Sequence, residues 1–170
     1  MKQSISNLRS RTDITQEAIA IDLGTNKSHI SNIEAGRRTG SMNLYEKAFK
    51  NNDDPHFLND LVFESTSGYG TPTPSDEAYC DHRLSIKYRL RKELREMQEA
   101  LKNHRLDKHP DHLTGEEEEQ IKLIVSEMLD VDFEINALLM KFASDYKFIN
   151  LRKVAKNRNL RYVIEKRIKR

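Results

Sequence analysis

The chain has 170 residues, of which 36% are hydrophobic and 33% are charged, and its formal net charge is only +2. No apolar run approaches the ~18 residues that a membrane-spanning helix needs, and the first residues are too polar for a secretory leader. The single cysteine, Cys80, cannot form an intrachain disulfide. These features exclude a membrane span and a disulfide-rich scaffold. We expect a cytoplasmic protein of two small units, with no membrane contact.

Five short helices are predicted in residues 1–64. Apolar residues recur there at helical spacing, with Ile5 and Leu8 on the inner face of the first helix. Small polar residues that cap helices, or a proline that suits the first helical position, stand before several of these segments. The later helices are predicted to start after a cap at Thr15, near Asn26, after a cap at Ser41, and at Asp54 followed by Pro55.

The stretch ITQEAIAIDLGTNKSHISNIEAGRR, residues 14–38, interrupts an apolar helix at Gly24 and restarts it at once. Two short helices joined in this way at a steep angle form a helix-turn-helix arrangement. The small side chain of Ala20 permits close approach of the two helices, and Ile30 and Ile33 pack the second helix onto the first. The polar N-terminal face of the third helix is then free to enter a major groove.

This stretch resembles the lambda-repressor-like, Xre-type DNA-binding domains, whose pattern combines a threonine or serine with QE, an alanine, LG, a short polar set, IS, IE and GRR. The resemblance covers about residues 3–64 and implies five helices. It also implies that Gln16 holds a phosphate, that residues of the third helix face base edges, and that an arginine of GRR touches the DNA backbone. The DNA-binding residues on this interpretation are Gln16, Thr25, Asn26, Lys27, Ser28, His29, Asn32, Arg37 and Arg38.

The chemistry of the third helix agrees with base recognition. Lysine donates to guanine acceptors, serine and asparagine donate or accept, and histidine does either. The alternative for Lys27 and Asn32 is an ordinary solvated helix surface, and for His29 it is a side chain that points sideways along the groove.

Residues 65–76, STSGYGTPTPSD, are rich in glycine, proline, serine and threonine, and they are predicted to form a flexible linker. Beyond it, 77–170 is predicted to be a helical oligomerisation domain with a basic C-terminal helix. Ser75 or Asp76 can cap its first helix, which runs to about Asn103. The expected fold class is all-α: a five-helix lambda-repressor-like DNA-binding domain joined by the linker to a long-helix oligomerisation region.

A capping box of Thr114 and Glu117 opens the longest predicted helix, which continues without glycine or proline to about Ile149. At ~1.5 Å per residue it would be ~50 Å long. Two adjoining apolar rows give it a wide apolar face, which the preceding helix is too short to cover. We therefore expect a homo-oligomer, either a dimer or a tetramer. The predicted oligomerisation residues are Ile121, Ile124, Val125, Met128, Val131, Ile135, Leu138, Leu139, Phe142 and Tyr146.

Charge is segregated in the last third of the chain. Residues 110–151 contain 3 basic and 10 acidic residues, whereas 152–170 contain 9 basic residues and 1 acidic residue. Two interpretations of the basic helix stay open. In one, Val163, Ile164 and Ile168 dock on the helical bundle and the basic side chains offset the acidic segment. In the other, its basic face lies over DNA phosphates.

Neither an enzyme nor a metal or cofactor site is expected. His104, His109 and His112 match no structural zinc spacing and lie in a proline-containing turn. The sequence has no phosphate-cradling glycine loop, no nucleophile elbow and no acid pair on an apolar pocket wall.

These features predict a sequence-specific DNA-binding transcriptional regulator, a repressor of a bacterium, phage or mobile element, that binds operator half-sites as a dimer or higher oligomer. Its partners would be double-stranded DNA, further copies of the chain, and a protein anti-repressor or toxin. Two alternatives stay open. An antitoxin would use 77–170 to wrap a toxin, and a DNA-organising or partition protein would bind many sites on a genome.

Overall fold

The computed structural model describes residues 1–74, 79–104 and 106–169. All regular secondary structure among these residues is helical, which confirms the all-α prediction. A 3₁₀ turn at Pro110–His112 precedes the longest helix. None of the described helices combines the length and apolar character that crossing a membrane requires. The α-helices are α1 (Lys2–Thr12), α2 (Gln16–Asp22), α3 (Lys27–Glu34), α4 (Met42–Asn51), α5 (Pro55–Ser65), α6 (Arg83–Asn103), α7 (Gly115–Asp145) and α8 (Leu151–Ile164).

The chain forms two compact units. The first contains Met1–Thr73 together with Ala143–Arg170, and the second contains Pro74–Phe142. The sequence predicted a single helical region over 77–170, so the assignment of α8 to the unit of α1 to α5 differs from that prediction. The physical reason is a set of polar contacts from Arg152 to the junction of α4 and α5, which no local sequence pattern encodes.

Helices α1 to α5 enclose the core of the first unit. The two isoleucines of α3, Ile30 and Ile33, are buried there, as the spacing of the helix-turn-helix predicted. Full burial of a side chain of this size stabilises a fold by ~1.5–3 kcal/mol. The buried core residues are Met1, Ile5, Leu8, Ile19, Ala20, Leu23, Ile30, Ile33, Leu44, Ala48, Phe57 and Leu61.

Local capping sets where these helices begin. The first backbone N–H groups of a helix have no partner within the helix, so a polar side chain just before it can accept from them. Thr15 accepts such a bond at 3.1 Å and Ser41 at 3.4 Å, which confirms both predicted caps. Asp54 accepts from a backbone N–H at 2.8 Å and is followed by Pro55 at the first position of α5.

Two threonines in the described part of the predicted linker, Thr71 and Thr73, are bonded to side chains of α5. Nδ2 of Asn59 donates to the carbonyl of Thr71 at 2.9 Å and to the hydroxyl of Thr73 at 3.1 Å. The Thr73 hydroxyl in turn donates to the carboxylate of Asp60. These residues therefore differ from the free linker that their composition predicted, because side chains of α5 satisfy their polar groups.

In the second unit, α6 begins later than the sequence predicted. The predicted caps, Ser75 and Asp76, lie outside the described residues. The helix starts at Arg83, and Nδ1 of His82 accepts from a backbone N–H two residues further on at 3.3 Å. The predicted helix is thus shorter at its N-terminal end.

A buried carboxylate joins the start of this unit to α6 and α7. Glu134 is only 5% exposed, and it accepts from the hydroxyl of Tyr79 at 2.5 Å and from Nε of Arg89 at 3.0 Å. The Arg89 guanidinium also lies 3.8 Å from the centre of the Tyr79 ring. Burial, followed by the hydrogen bond to Glu134, raises the pKa of Tyr79 to about 12.

The longest helix begins as predicted but ends earlier. The Thr114 N–H donates to the Glu117 carboxylate at 2.7 Å and the Glu117 N–H donates to the Thr114 hydroxyl at 3.4 Å, which confirms the capping box. The helix has 31 residues and is ~46 Å long. Tyr146 and Ile149 lie in the turn that follows, because Asn150 accepts from a backbone N–H and starts α8. The prediction that both residues continue the face of this helix is wrong.

Candidate nucleic-acid interface

The turn between α2 and α3 depends on Gly24, whose φ of +57° is a conformation that residues with a Cβ rarely adopt. The N–H of the next residue donates to the carbonyl of Ala20 at 2.8 Å and closes the end of α2. Two side chains of α4 support the turn from outside. Nζ of Lys47 donates to the carbonyl of Gly24 at 3.3 Å, and Nδ2 of Asn51 donates to that of Asp22 at 2.8 Å. These two bonds hold the end of α2 and the turn against α4.

The first turn of α3 presents polar side chains to solvent. Asn26 is the cap, and its Oδ1 accepts from the His29 N–H at 2.8 Å. Lys27 and Ser28 follow and are exposed, whereas the isoleucines on the opposite side of the helix are buried. The first turn of α3 therefore exposes the Lys27 ammonium and the Ser28 hydroxyl, while Ile30 and Ile33 fix the helix in the core.

Two further predicted residues are oriented by neighbours on the same segment. Nδ1 of His29 lies 2.9 Å from the hydroxyl of Thr25, so the imidazole is half-buried over the turn. At the other end of α3, Nε of Arg37 donates to Oδ1 of Asn32 at 2.9 Å. The side-chain oxygen of Asn32 therefore accepts a hydrogen bond from Arg37. The side-chain nitrogen of Asn32 carries two further N–H donors.

Gln16 is bonded to the last residue of α3. Its Nε2 donates to Oε2 of Glu34 at 2.5 Å. Glu34 also accepts from Arg9 of α1 at 2.8 Å, and Nε of Arg9 donates to the carbonyl of Ile14 at 3.1 Å. These bonds tie the start of α2 to the end of α3. An amide nitrogen has two hydrogens, so the bond to Glu34 does not exhaust Gln16 as a donor.

The nine predicted DNA-binding residues fall into three groups. Residues 25–29 gather at the turn and the first turn of α3, and Asn32, Arg37 and Arg38 gather around its C-terminal end. Gln16 forms the third group, and it is bonded to Glu34, the last residue of α3. Sequence reasoning missed Glu34, whose position at the end of α3 in the IEAG stretch was the only signal for it.

The predicted oligomerisation residues of α7 do not all face the same surroundings. Ile124 and Val131 are buried, so neither lies on the exposed surface of the chain. Tyr146 lies beyond the end of the helix. Val125, Met128, Ile135 and Leu139 are each between 40% and 50% exposed.

Four of the exposed apolar residues of α7, Val125, Met128, Ile135 and Leu139, share one stripe of the helix, whereas Leu123 and Leu129 are exposed elsewhere on it. We use the name α7 seam for the row of residues, given at the end of this paragraph, that follow one another along α7 at alternating intervals of four and three positions. A strict alternation of these steps keeps side chains on one narrow stripe. Sequence reasoning combined this stripe with its buried neighbours, because periodicity alone does not show which row α6 covers. The seam consists of Ile121, Val125, Met128, Asp132, Ile135, Leu139 and Phe142.

Among the described residues, three carboxylates have a spacing that a cation could bridge. Oxygens of Glu93, Glu127 and Asp130 all lie within 4.8 Å of one another. Lys92 pairs with Glu93 at 3.1 Å and with Glu96 at 2.8 Å, which offsets part of the negative charge. The prediction of no metal site had considered the histidines of residues 104–112 together with Asp107 and Asp111. In that segment Nδ1 of His109 lies 3.6 Å from Oδ2 of Asp111. This group of three carboxylates is remote in sequence from α2 and α3.

Known proteins provide no independent assignment for these surfaces. No protein-family model matches the chain, and no curated protein or solved structure is significantly similar to it.

Proposed function

We propose that the protein is a sequence-specific DNA-binding transcriptional regulator, a repressor of a bacterium, phage or mobile element, with α3 as its reading helix. The observation that supports this most directly is the exposed pair Lys27 and Ser28 on the capped first turn of α3. The glycine turn and the buried isoleucines hold that turn outward. The resemblance of residues 14–38 to Xre-type domains points to the same role.

Each group of the surface has a role in this proposal. Lys27 donates to guanine O6 or N7 in the major groove, and Ser28 donates or accepts at a neighbouring base edge. Asn32 reads a base through its amide. Gln16 and Arg37 hold phosphates on either side, and these contacts fix the position of α3 without carrying sequence information.

The α7 seam supports the proposal that two copies act together. Apolar side chains at alternating steps of four and three suit pairing with a second helix of the same kind. Asp132 lies inside the seam, and a single polar residue at such a position specifies register and partner number. A dimer would place two reading helices on half-sites about 34 Å apart, one turn of DNA.

Selection of binding sites from random duplex DNA tests the proposed function. The full-length protein should enrich one sequence with two related half-sites, and footprinting on genomic DNA should protect one or a few loci. Enrichment of no sequence at all would overturn sequence-specific recognition. Protection of many unrelated loci would favour the DNA organiser instead.

A pair of variants assigns the recognition to α3. Lys27→Ala should reduce the enrichment, while Lys122→Ala, which removes an equal charge from the exposed surface of α7, should leave it unchanged. Equal effects of both variants would indicate that general charge, and not α3, determines the binding.

A further inference from the structure

The unit that contains α3 owes its positive charge to the C-terminal basic residues. Residues 1–73 contain 8 basic and 9 acidic residues, whereas 152–170 contain 9 basic residues and 1 acidic residue. Phosphate contacts supply much of the affinity of a protein for DNA. DNA-binding proteins commonly make about 6–10 such contacts, on the order of one for each basic side chain at the interface. A reading helix on a domain that is itself slightly negative needs cations from elsewhere.

Arg152 anchors α8 to that unit. Its Nε donates to Oδ1 of Asp53 at 2.7 Å, and its NH2 group donates to the carbonyl of Asn52 at 2.8 Å and to that of Phe49 at 2.5 Å. The last carbonyls of a helix have no partner within the helix, so this guanidinium closes the C-terminal end of α4. The first turn of α8 is therefore fixed on α4.

The end of α4 also supports the turn that leads into α3. Asn51, the residue before Asn52, donates to the carbonyl of Asp22 at 2.8 Å. One turn earlier, Lys47 donates to the carbonyl of Gly24 at 3.3 Å. The C-terminal end of α4 thus bonds to the end of α2 through Asn51 and to Arg152 of α8 through the carbonyls of Phe49 and Asn52. Both segments therefore contact the same end of α4.

Beyond its first turn, most of α8 is exposed, including Leu160 at 60% and Ile164 at 80%, and Ile168, just past the helix, is 45% exposed. Val163, the third residue of the docking interpretation, is partly buried. At 100° per residue the apolar and basic side chains are spread around the whole circumference, so the helix lacks the single apolar face that a membrane surface or a helix groove requires. Arg161 and Arg167 pair with Glu165. The exposed cations of α8 are Lys153, Lys156, Arg158 and Arg161, and Lys166, Arg167 and Lys169 follow the helix.

We propose that α8 is a second DNA-contacting element, whose cations bind phosphates of the duplex beside the site that α3 reads. This inference builds on the proposed DNA-binding function. A helix of 14 residues is ~21 Å long, which exceeds the ~12 Å width of the major groove. With its first turn fixed on α4, it is long enough to reach a phosphate strand bordering the groove that α3 enters. Phosphate binding needs charge without a defined face, which is the composition that α8 has.

Salt dependence tests the inference on the full-length protein. Lys153→Gln, Lys156→Gln and Arg158→Gln are combined, and affinity is measured at several salt concentrations on a selected duplex and on a random duplex of equal length. Each lost phosphate contact should lower the slope of log affinity against log salt by ~0.9. The slope should fall on both duplexes, because phosphates are independent of sequence.

Two control variants isolate the role of α8. Lys87→Gln, Arg91→Gln and Arg95→Gln remove three exposed cations from α6 and should leave the slope unchanged. Lys153→Arg with Lys156→Arg keeps the charge and should also retain the wild-type slope. Circular dichroism and light scattering verify that the helices and the assembly persist in every variant.

The outcomes separate this inference from the proposed function. An unchanged slope on both duplexes in the α8 variant, with fold and assembly intact, overturns the DNA-contacting role of α8. A slope that falls equally in the α6 variant also overturns it, because general charge would then suffice. If the wild type prefers no sequence but the α8 variant still lowers the slope on random DNA, sequence-specific reading fails and the role of α8 stands.

Discussion

Arg152 of α8 donates to the carboxylate of Asp53 at 2.7 Å across 99 positions of the sequence. The same guanidinium satisfies carbonyls at the end of α4, so one side chain connects the last helix with the α4–α5 junction. Hydrogen bonds from a charged donor are roughly twice as strong as those between neutral groups. This contact makes α8 part of the first unit.

Arg152→Ala should release α8 from α4. The lost charged hydrogen bonds are worth ~1.5–3 kcal/mol, so amide hydrogen exchange in α8 should become at least about tenfold faster. Mass spectrometry of peptides from 151–164 measures this rate. Arg161→Ala, which removes an exposed arginine from the same helix, should have a much smaller effect. Equal exchange in wild type and Arg152→Ala would contradict the anchoring role.

Base contacts and phosphate contacts should separate in binding experiments. Lys27→Ala or Ser28→Ala should weaken binding to a selected duplex by ~1–3 kcal/mol and leave binding to random DNA nearly unchanged. Gln16→Ala should weaken both by similar amounts, because it would remove the proposed phosphate contact together with the bond to Glu34. Fluorescence anisotropy on the two duplexes provides the comparison. Wild-type affinity in all three variants would exclude α3 as the reading helix.

The α7 seam should determine assembly. Leu139→Asp introduces a carboxylate into a surface that becomes buried in an oligomer, which is strongly unfavourable without a partner. Light scattering should show a smaller particle than the wild type at the same concentration. Leu123→Asp is the matched control, since Leu123 is similarly exposed but lies roughly 160° around the helix from Leu139. A monomeric wild type, or equal effects of the two variants, would refute pairing through the seam.

Asp54 makes the stability of the first unit depend on pH. Burial alone would raise its pKa, but hydrogen bonds from Arg11 and from the Phe57 N–H lower the pKa below the ordinary value for aspartate. A carboxyl of this kind stabilises the fold above its unfolded pKa of ~3.9, and the effect is lost as the pH falls through the lower folded pKa.

Asp54→Asn tests this dependence because asparagine still caps α5. At pH 7 the wild type should be more stable than the variant by about 1 kcal/mol, the worth of a partly exposed bidentate ion pair. The difference should vanish once the pH lies below the folded pKa of Asp54. Urea unfolding of α1 and α5, followed by NMR, measures it. A difference that persists in strong acid would show that the ion pair with Arg11 is not its source.

The buried Glu134 should make the second unit sensitive to loss of Arg89. Arg89→Ala leaves a nearly buried carboxylate without its cation, which costs ~3–5 kcal/mol for a fully buried pair and about 3 here, since Arg89 is partly exposed. The double variant Arg89→Met with Glu134→Met removes both charges and should be less destabilised than Arg89→Ala. Hydrogen exchange in α7 measures the stability of both. A double variant that is the less stable of the two would contradict this explanation.

Much of the local structure follows from the sequence, because its signals act over a few residues. The caps at Thr15 and Ser41, the turn at Gly24, and the capping box of Thr114 with Glu117 each depend on side chains within four positions of the backbone groups they satisfy. Helical periodicity likewise predicts which residues of α3 are buried. The exposed polar side chains of α3 could therefore be identified before any tertiary contact was known.

Tertiary structure alone decided how these segments are joined. Gln16 meets Glu34 across 18 positions and Arg152 meets Asp53 across 99, and no periodicity relates residues so far apart. The apolar rows of α7 were visible in the sequence, but the covering of Ile124 and Val131 depends on packing. Which row stays exposed depends on the element that packs against the helix as well as on the helix itself. The sequence of one helix therefore does not determine it.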